Sequence, residues 1–98
     1  MDGNDATDER VLELRAEGRA FASIARELDL ENGYQAIMGF RRALARRPVE
    51  ERSRLREQEF ARLDRMAESV QSRSDLSEEE INVRLATLDR VRGLLRET

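Results

Sequence analysis

Apolar residues recur at helical spacing along most of the chain and divide it into five predicted helices. Val11, Leu12 and Leu14 form a short stripe behind Thr7, Asp8 and Glu9. Thr7 suits an N-cap, the two acids suit the positive end of a first turn, and Gly18 suits a C-cap. The first helix is therefore expected over 8–17, with residues 1–7 expected to fray into a disordered N-terminus. Phe21, Ile24, Ala25 and Leu28 predict a second helix over 20–28. The run Asp29-Leu30-Glu31-Asn32-Gly33 interrupts it, with Leu30 directed inward and Asn32-Gly33 as a turn dipeptide. In the third helix, 33–47, the residues Ala36, Ile37, Phe40, Ala43 and Leu44 fall within about 100° of arc. Gln35, Met38, Arg42, Ala45 and Arg46 take the opposite face, bordered by Tyr34 and Arg41. Pro48 ends this helix and opens the next, because it disfavours helix at Arg47 yet fits a first helical position.

The second half of the chain carries two longer patterns. Phe60, Leu63, Ala67 and Val70 step by three and four residues, with Met66 beside them, and predict a charged helix over 48–72. Glu50–Arg54 and Glu59–Arg62 are spaced to pair along it. After Ser72-Arg73-Ser74-Asp75, Ser77 and Glu80 have the spacing of a capping box, and Leu76 and Ile81 that of a hydrophobic staple. Ile81, Leu85, Leu88, Val91, Leu94 and Leu95 then predict a helix over 78–96. Two helices joined by so short a loop are expected to fold back as an antiparallel hairpin. Val91, Leu94 and Leu95 extend past the fourth helix's clear coverage, which leaves an apolar edge for another subunit or for the N-terminal domain.

Composition removes whole classes of function. The 98 residues contain no Cys and no His, so disulfides, thiolate nucleophiles, imidazole bases and the usual zinc sites are excluded. There is no Gly-rich phosphate loop, and the acid pairs sit at helix starts, where the helix dipole accounts for them. A non-enzymatic protein without cofactor or metal is expected. The N-terminus is polar and no apolar run approaches the roughly 20 residues of a membrane span, so a cytoplasmic protein without a membrane partner is expected.

Charge adds one localised feature. The net charge is −3, which argues against indiscriminate coating of DNA. Residues 1–32 hold nine acids and four Arg, whereas residues 33–47 hold four Arg and no acid. The basic island is thus the third helix. All 18 basic residues are Arg, which reads first as the codon usage of a GC-rich genome.

The string Ile24-Ala25-Arg26-Glu27-Leu28-Asp29-Leu30 has a small residue where a second helix would cross and apolar residues on both sides of a turn. It resembles the first helix and turn of helix-turn-helix DNA-binding proteins. Asp29 stands where that motif usually has Gly, a substitution that Asp tolerates better than most residues. With the RRP that closes the third helix and Glu59-Phe60-Ala61-Arg62-Leu63-Asp64 in the fourth, the layout is similar to small helix-turn-helix proteins of actinobacteria and their phages. Some of those are terminase small subunits. The resemblance implies DNA binding, as a transcriptional regulator or phage packaging-type factor, and oligomerisation.

The expected fold is therefore all-α. A disordered segment, 1–7, precedes a tri-helical helix-turn-helix-like domain, 8–47, and a long helical hairpin, 48–98, that serves packing or oligomerisation. Double-stranded DNA is the expected partner. Gln35 is a candidate for an adenine edge, Arg42 and Arg46 for a guanine edge or a phosphate, and Arg19, Arg41 and Arg47 for phosphates. Tyr34 and Met38 share the candidate surface. The alternative is an adaptor whose helical domain docks a protein, with a homodimer or protein partner held through the hairpin. In that case the acidic surface repels nucleic acid. The plainer reading of the Arg residues is that they solubilise the helix and pair with acids of the first and fourth helices.

Overall fold

A computed structural model describes residues 3–96, with side chains from residue 5 onward. Those residues form five α-helices and no strand: α1 (Gly3–Ala16), α2 (Phe21–Glu27), α3 (Gly33–Ala45), α4 (Val49–Gln71) and α5 (Glu78–Arg96). None of these helices is long and apolar enough to cross a membrane. The chain divides into two compact units at Pro48–Val49.

In the first unit α3 packs against both α1 and α2, while α1 and α2 touch little. Its core is Val11, Leu12 and Leu14 from α1, Ile24 and Ala25 from α2, and Ala36, Phe40, Ala43 and Leu44 from α3. Phe21 meets Phe40 edge-on at 5.8 Å between ring centroids, tying α2 to the middle of α3. Gly39 is also buried, because α1 crosses α3 there. That shifts the centre of the buried face toward α1, so Ile37 is only half-buried.

Both turns of this unit close in the same way. Gly18, at φ 95°, follows α1; its N–H donates to the Arg15 carbonyl and the N–H of Arg19 to that of Leu14. Asp29, at φ 58°, follows α2; its N–H donates to the Arg26 carbonyl and the N–H of Leu30 to that of Ala25 at 2.8 Å. Each is a Schellman closure that satisfies the last helical carbonyls. Asn32 then caps α3, its Oδ1 accepting from the Gln35 N–H at 3.1 Å. Asn32 is thus a helix cap and not only a turn residue.

Helix α1 starts at Gly3, ahead of the predicted Thr7 cap, so residues 3–7 of the segment expected to be disordered are helical. Residues 1 and 2 lie outside the described residues. Asp5, Asp8 and Glu9 pair with Arg42 of α3 or with Arg46 and Arg47 just after it, and these tertiary ion pairs hold an extra turn that local propensity does not announce.

In the second unit α4 packs against α5. The Arg92 guanidinium lies 4.9 Å from the Phe60 ring centroid and pairs with Asp64. Leu63 and Leu95 are the buried apolar residues among those described, with Glu59 buried beside its partner Arg62 at 3.2 Å. The capping box forms as the spacing predicts: Glu80 N–H donates to Ser77 Oγ at 3.1 Å, and Ser77 N–H donates to Glu80 Oε1 at 2.8 Å.

Candidate nucleic-acid interface

Helix α3 carries most of the candidate residues, and its two flanks differ. Tyr34, Met38, Arg41 and Ala45 recur every three or four residues on the side turned away from Ala36, Gly39 and Ala43. Tyr34 is 53% exposed, Ala45 is exposed, and Met38 and Arg41 are half-buried. Gln35 is half-buried one position round, at the helix start, with its N–H held by Asn32.

Arg42 and Arg46, one turn apart, lie along the flank that faces α1. Arg42 makes a two-pronged pair with Asp8, Nε to Oδ2 at 2.9 Å and Nη2 to Oδ1 at 3.0 Å. Asp8 is only 2% exposed, so its carboxylate depends on this partner. The Asp8 hydrogen bond raises the Arg42 pKa further above its already high ordinary value; partial burial opposes this, and the charge of Asp8 adds to it. Arg46 spreads over three carboxylates: Asp5 at 3.4 Å, Asp8 at 3.5 Å and Glu9 at 3.5 Å. Arg47 also pairs with Glu9. The basic island seen in the sequence is therefore matched by acids on α1, part of the pairing expected if these arginines only solubilise the helix and pair with its neighbours.

Arg19 is occupied as well. Its Nη2 pairs with Glu27 Oε1 at 2.6 Å and reaches Ser23 Oγ at 3.4 Å, bracing the first turn against α2. Of the eight candidates, Tyr34, Gln35, Met38 and Arg41 share the outer side of α3. Arg42, Arg46 and Arg47 form a second group at the α1 flank, and Arg19 stands apart.

Two residues at this site were not singled out from the sequence. Asp8 reads in the sequence as a helix-start acid, yet it is the carboxylate around which the arginines gather. Its signal was present: acids at 5, 8 and 9 repeat at helical spacing, as do Arg42 and Arg46 on the adjoining helix. Arg15 is buried, with its guanidinium 4.1 Å from the Phe21 ring centroid and Nη1 donating to the Arg19 carbonyl at 2.9 Å. No isolated-sequence signal marks it.

The pairs differ in how readily they exchange. Exposed ion pairs are worth about 0–1 kcal/mol, so a phosphate can displace a carboxylate from such an arginine at little cost. The Arg46–Glu9 pair lies at the surface and fits that description, while Arg47, half-buried, shares the same carboxylate. Arg42 does not, since releasing it would strand a buried carboxylate. No group of carboxylates among the described residues is arranged to hold a metal ion. Compared with protein-family models, curated proteins and solved structures, the chain matches none.

Proposed function

We propose that the protein is a non-enzymatic, sequence-directed DNA-binding protein of the helix-turn-helix type, a regulator or phage packaging-type factor, in which α2 and α3 form the motif and α4 with α5 an appended antiparallel hairpin. The observation that carries this reading is the turn between α2 and α3. Its left-handed Asp29 and Schellman closure direct α3 across α1 and α2, and the outer side of α3 keeps Tyr34, Gln35, Met38 and Arg41 together. A recognition helix requires that division into one packed face and one presented face.

In this reading Gln35 faces a base edge and Arg41 a base edge or phosphate, while Tyr34 and Met38 supply apolar contact. Arg46 and Arg47 exchange the α1 carboxylates for DNA phosphates. Arg42 stays on Asp8 and fixes the α1–α3 crossing. The contact is narrow, because acids offset the arginines of the same unit, and so binding falls with salt only as steeply as its few phosphate contacts dictate.

The adaptor reading is favoured by one specific observation, the neutralisation of the α3 arginines by Asp5, Asp8 and Glu9. Fluorescence anisotropy of the full chain with a mixed-sequence duplex at about 50 mM salt separates the two, since phosphate contacts are strongest at low salt. The DNA reading expects binding that weakens with salt and is lost in Gln35→Ala with Arg41→Ala, two changes that leave the Asp8 pair intact. Absence of binding by the folded wild-type chain would favour the adaptor.

A further inference from the structure

Val83 is 61% exposed in the first half of α5, an unusual position for a β-branched apolar residue on a helix. It belongs to a second stripe. Val83, Thr87, Val91 and Leu94 lie about 120° round the helix from Ile81, Leu85, Leu88 and Leu95. Thr87 Oγ1 donates to the Val83 carbonyl at 3.1 Å, which satisfies its hydroxyl within the helix. Met66 of α4, 43% exposed, extends the same surface. Two open hollows meet at Val83 and Arg84, one bounded by Met66, Val70, Thr87 and Leu88, the other by Ser77, Glu79 and Glu80. Their volumes of about 260 and 310 Å³ stand at the lower edge of the range for small ligands, roughly 300–1,000 Å³. Shallow holes of this size beside an apolar ridge suit the side chains of another helix.

We propose that this face is the seam of a homodimer, in which α5 of one copy lies antiparallel to α5 of a second copy about a two-fold axis near residue 85. The charge order along the face argues for a second copy. Glu79 and Glu80 precede Val83, and Arg90 follows Thr87, all at the surface. Reversing the helix on itself about residue 85 sets Glu80 opposite Arg90, with Glu79 one position beside it, and Val83 opposite Thr87, twice over. An isologous interface requires that self-complementarity. A parallel arrangement would set glutamate against glutamate. The exposed charges select register, and burial of Val83, Thr87, Leu94 and Met66 drives association. The second unit also has a reason to associate, since Leu63 and Leu95 are its buried apolar residues among those described. A two-helix unit with so thin a core gains from a partner.

Sedimentation velocity on the full chain at ~1–100 μM, the range of modest dimer affinities, tests the seam. The wild type is expected to dimerise. Val83→Glu should weaken association at least ~10-fold, equivalent to about 1.4 kcal/mol. Glu79→Arg should weaken it, and Glu79→Arg with Arg90→Glu should restore it. Glu79 is chosen over Glu80 because Glu80 belongs to the capping box. Circular dichroism checks helicity throughout. If Val83→Glu loses helix, the charge-reversal set decides, because both of its residues are exposed. A wild type that stays monomeric at ~100 μM overturns the proposal. A dimer whose affinity ignores Val83→Glu and the charge reversals overturns it equally.

Discussion

Arg42 grips Asp8 with two parallel hydrogen bonds, Nε to Oδ2 at 2.9 Å and Nη2 to Oδ1 at 3.0 Å, across the α1–α3 crossing. The two ends are unequal, since the carboxylate is 2% exposed and the Arg42 side chain 52%. Removing the arginine therefore costs more than an exposed ion pair would suggest. Arg42→Met should lower stability by about 1–3 kcal/mol, below the ~3–5 kcal/mol of a fully buried pair because Arg46 and water reach Asp8 in part. Urea denaturation followed by circular dichroism measures it. A loss under about 0.5 kcal/mol would show that Asp8 finds another partner readily.

Gly39 and Gly93 sit inside helices and should respond oppositely to alanine. A Cβ on Gly39 would meet Asp8 Oδ1 at 3.0 Å and Val11 Cγ2 at 3.4 Å, and neither neighbour can move freely. Gly39→Ala should destabilise by about 1–2 kcal/mol despite its better helix propensity. A Cβ on Gly93 meets nothing within 4 Å, so Gly93→Ala should stabilise by about 0.5–1 kcal/mol. Thermal melts of the two variants are the check.

Asp29 holds the left-handed position of the α2–α3 turn at φ 58°. Glycine accepts that conformation without a Cβ penalty, whereas a β-branched residue resists it. Asp29→Gly should leave stability unchanged or raise it by up to about 1 kcal/mol, and Asp29→Val should lower it by about 1–2 kcal/mol. Equal denaturation midpoints for the two variants would contradict this assignment of the turn.

Acid should act on the α4–α5 connection. The Arg73 hydrogen bond lowers the Asp75 pKa from 3.8 to about 2, and the Ser77 N–H, then its hydroxyl, lower that of Glu80. Both groups have folded-state pKa values below their ordinary ones. Their contribution to stability is therefore complete above the ordinary carboxylate range and is lost as pH falls through the lowered values, about 2 for Asp75. The drop in melting temperature between pH 5 and 2 should be smaller in Asp75→Asn with Glu80→Gln than in the wild type. Identical drops would mean that neither pair matters to folding.

The legible parts of this chain were those with local causes. Gly18 and the Ser77–Glu80 box act through their own few residues, and the structure places both as their spacing predicts. Asp29 was recognisable as the occupant of a turn position that usually takes glycine, and its positive φ follows. What the sequence concealed was tertiary. The start of α1 depends on arginines some 35 residues away, as in the Asp8–Arg42 pair. Gly39 becomes a buried position because a neighbouring helix crosses there, which brings the still exposed Arg42 and Arg46 against the α1 carboxylates and leaves Tyr34, Met38 and Arg41 on the side away from α1. Periodicity finds a helix and its apolar face, but the neighbour it meets decides which charges remain on view.

The most direct test of the central claim is an amide NMR titration of the full chain with a short duplex at low salt. Shifts should concentrate at 33–42 on α3, with further changes at Arg46, Arg47 and Glu9 as carboxylates give way to phosphates. Spectra that stay unchanged, or changes confined to α4 and α5, would contradict it.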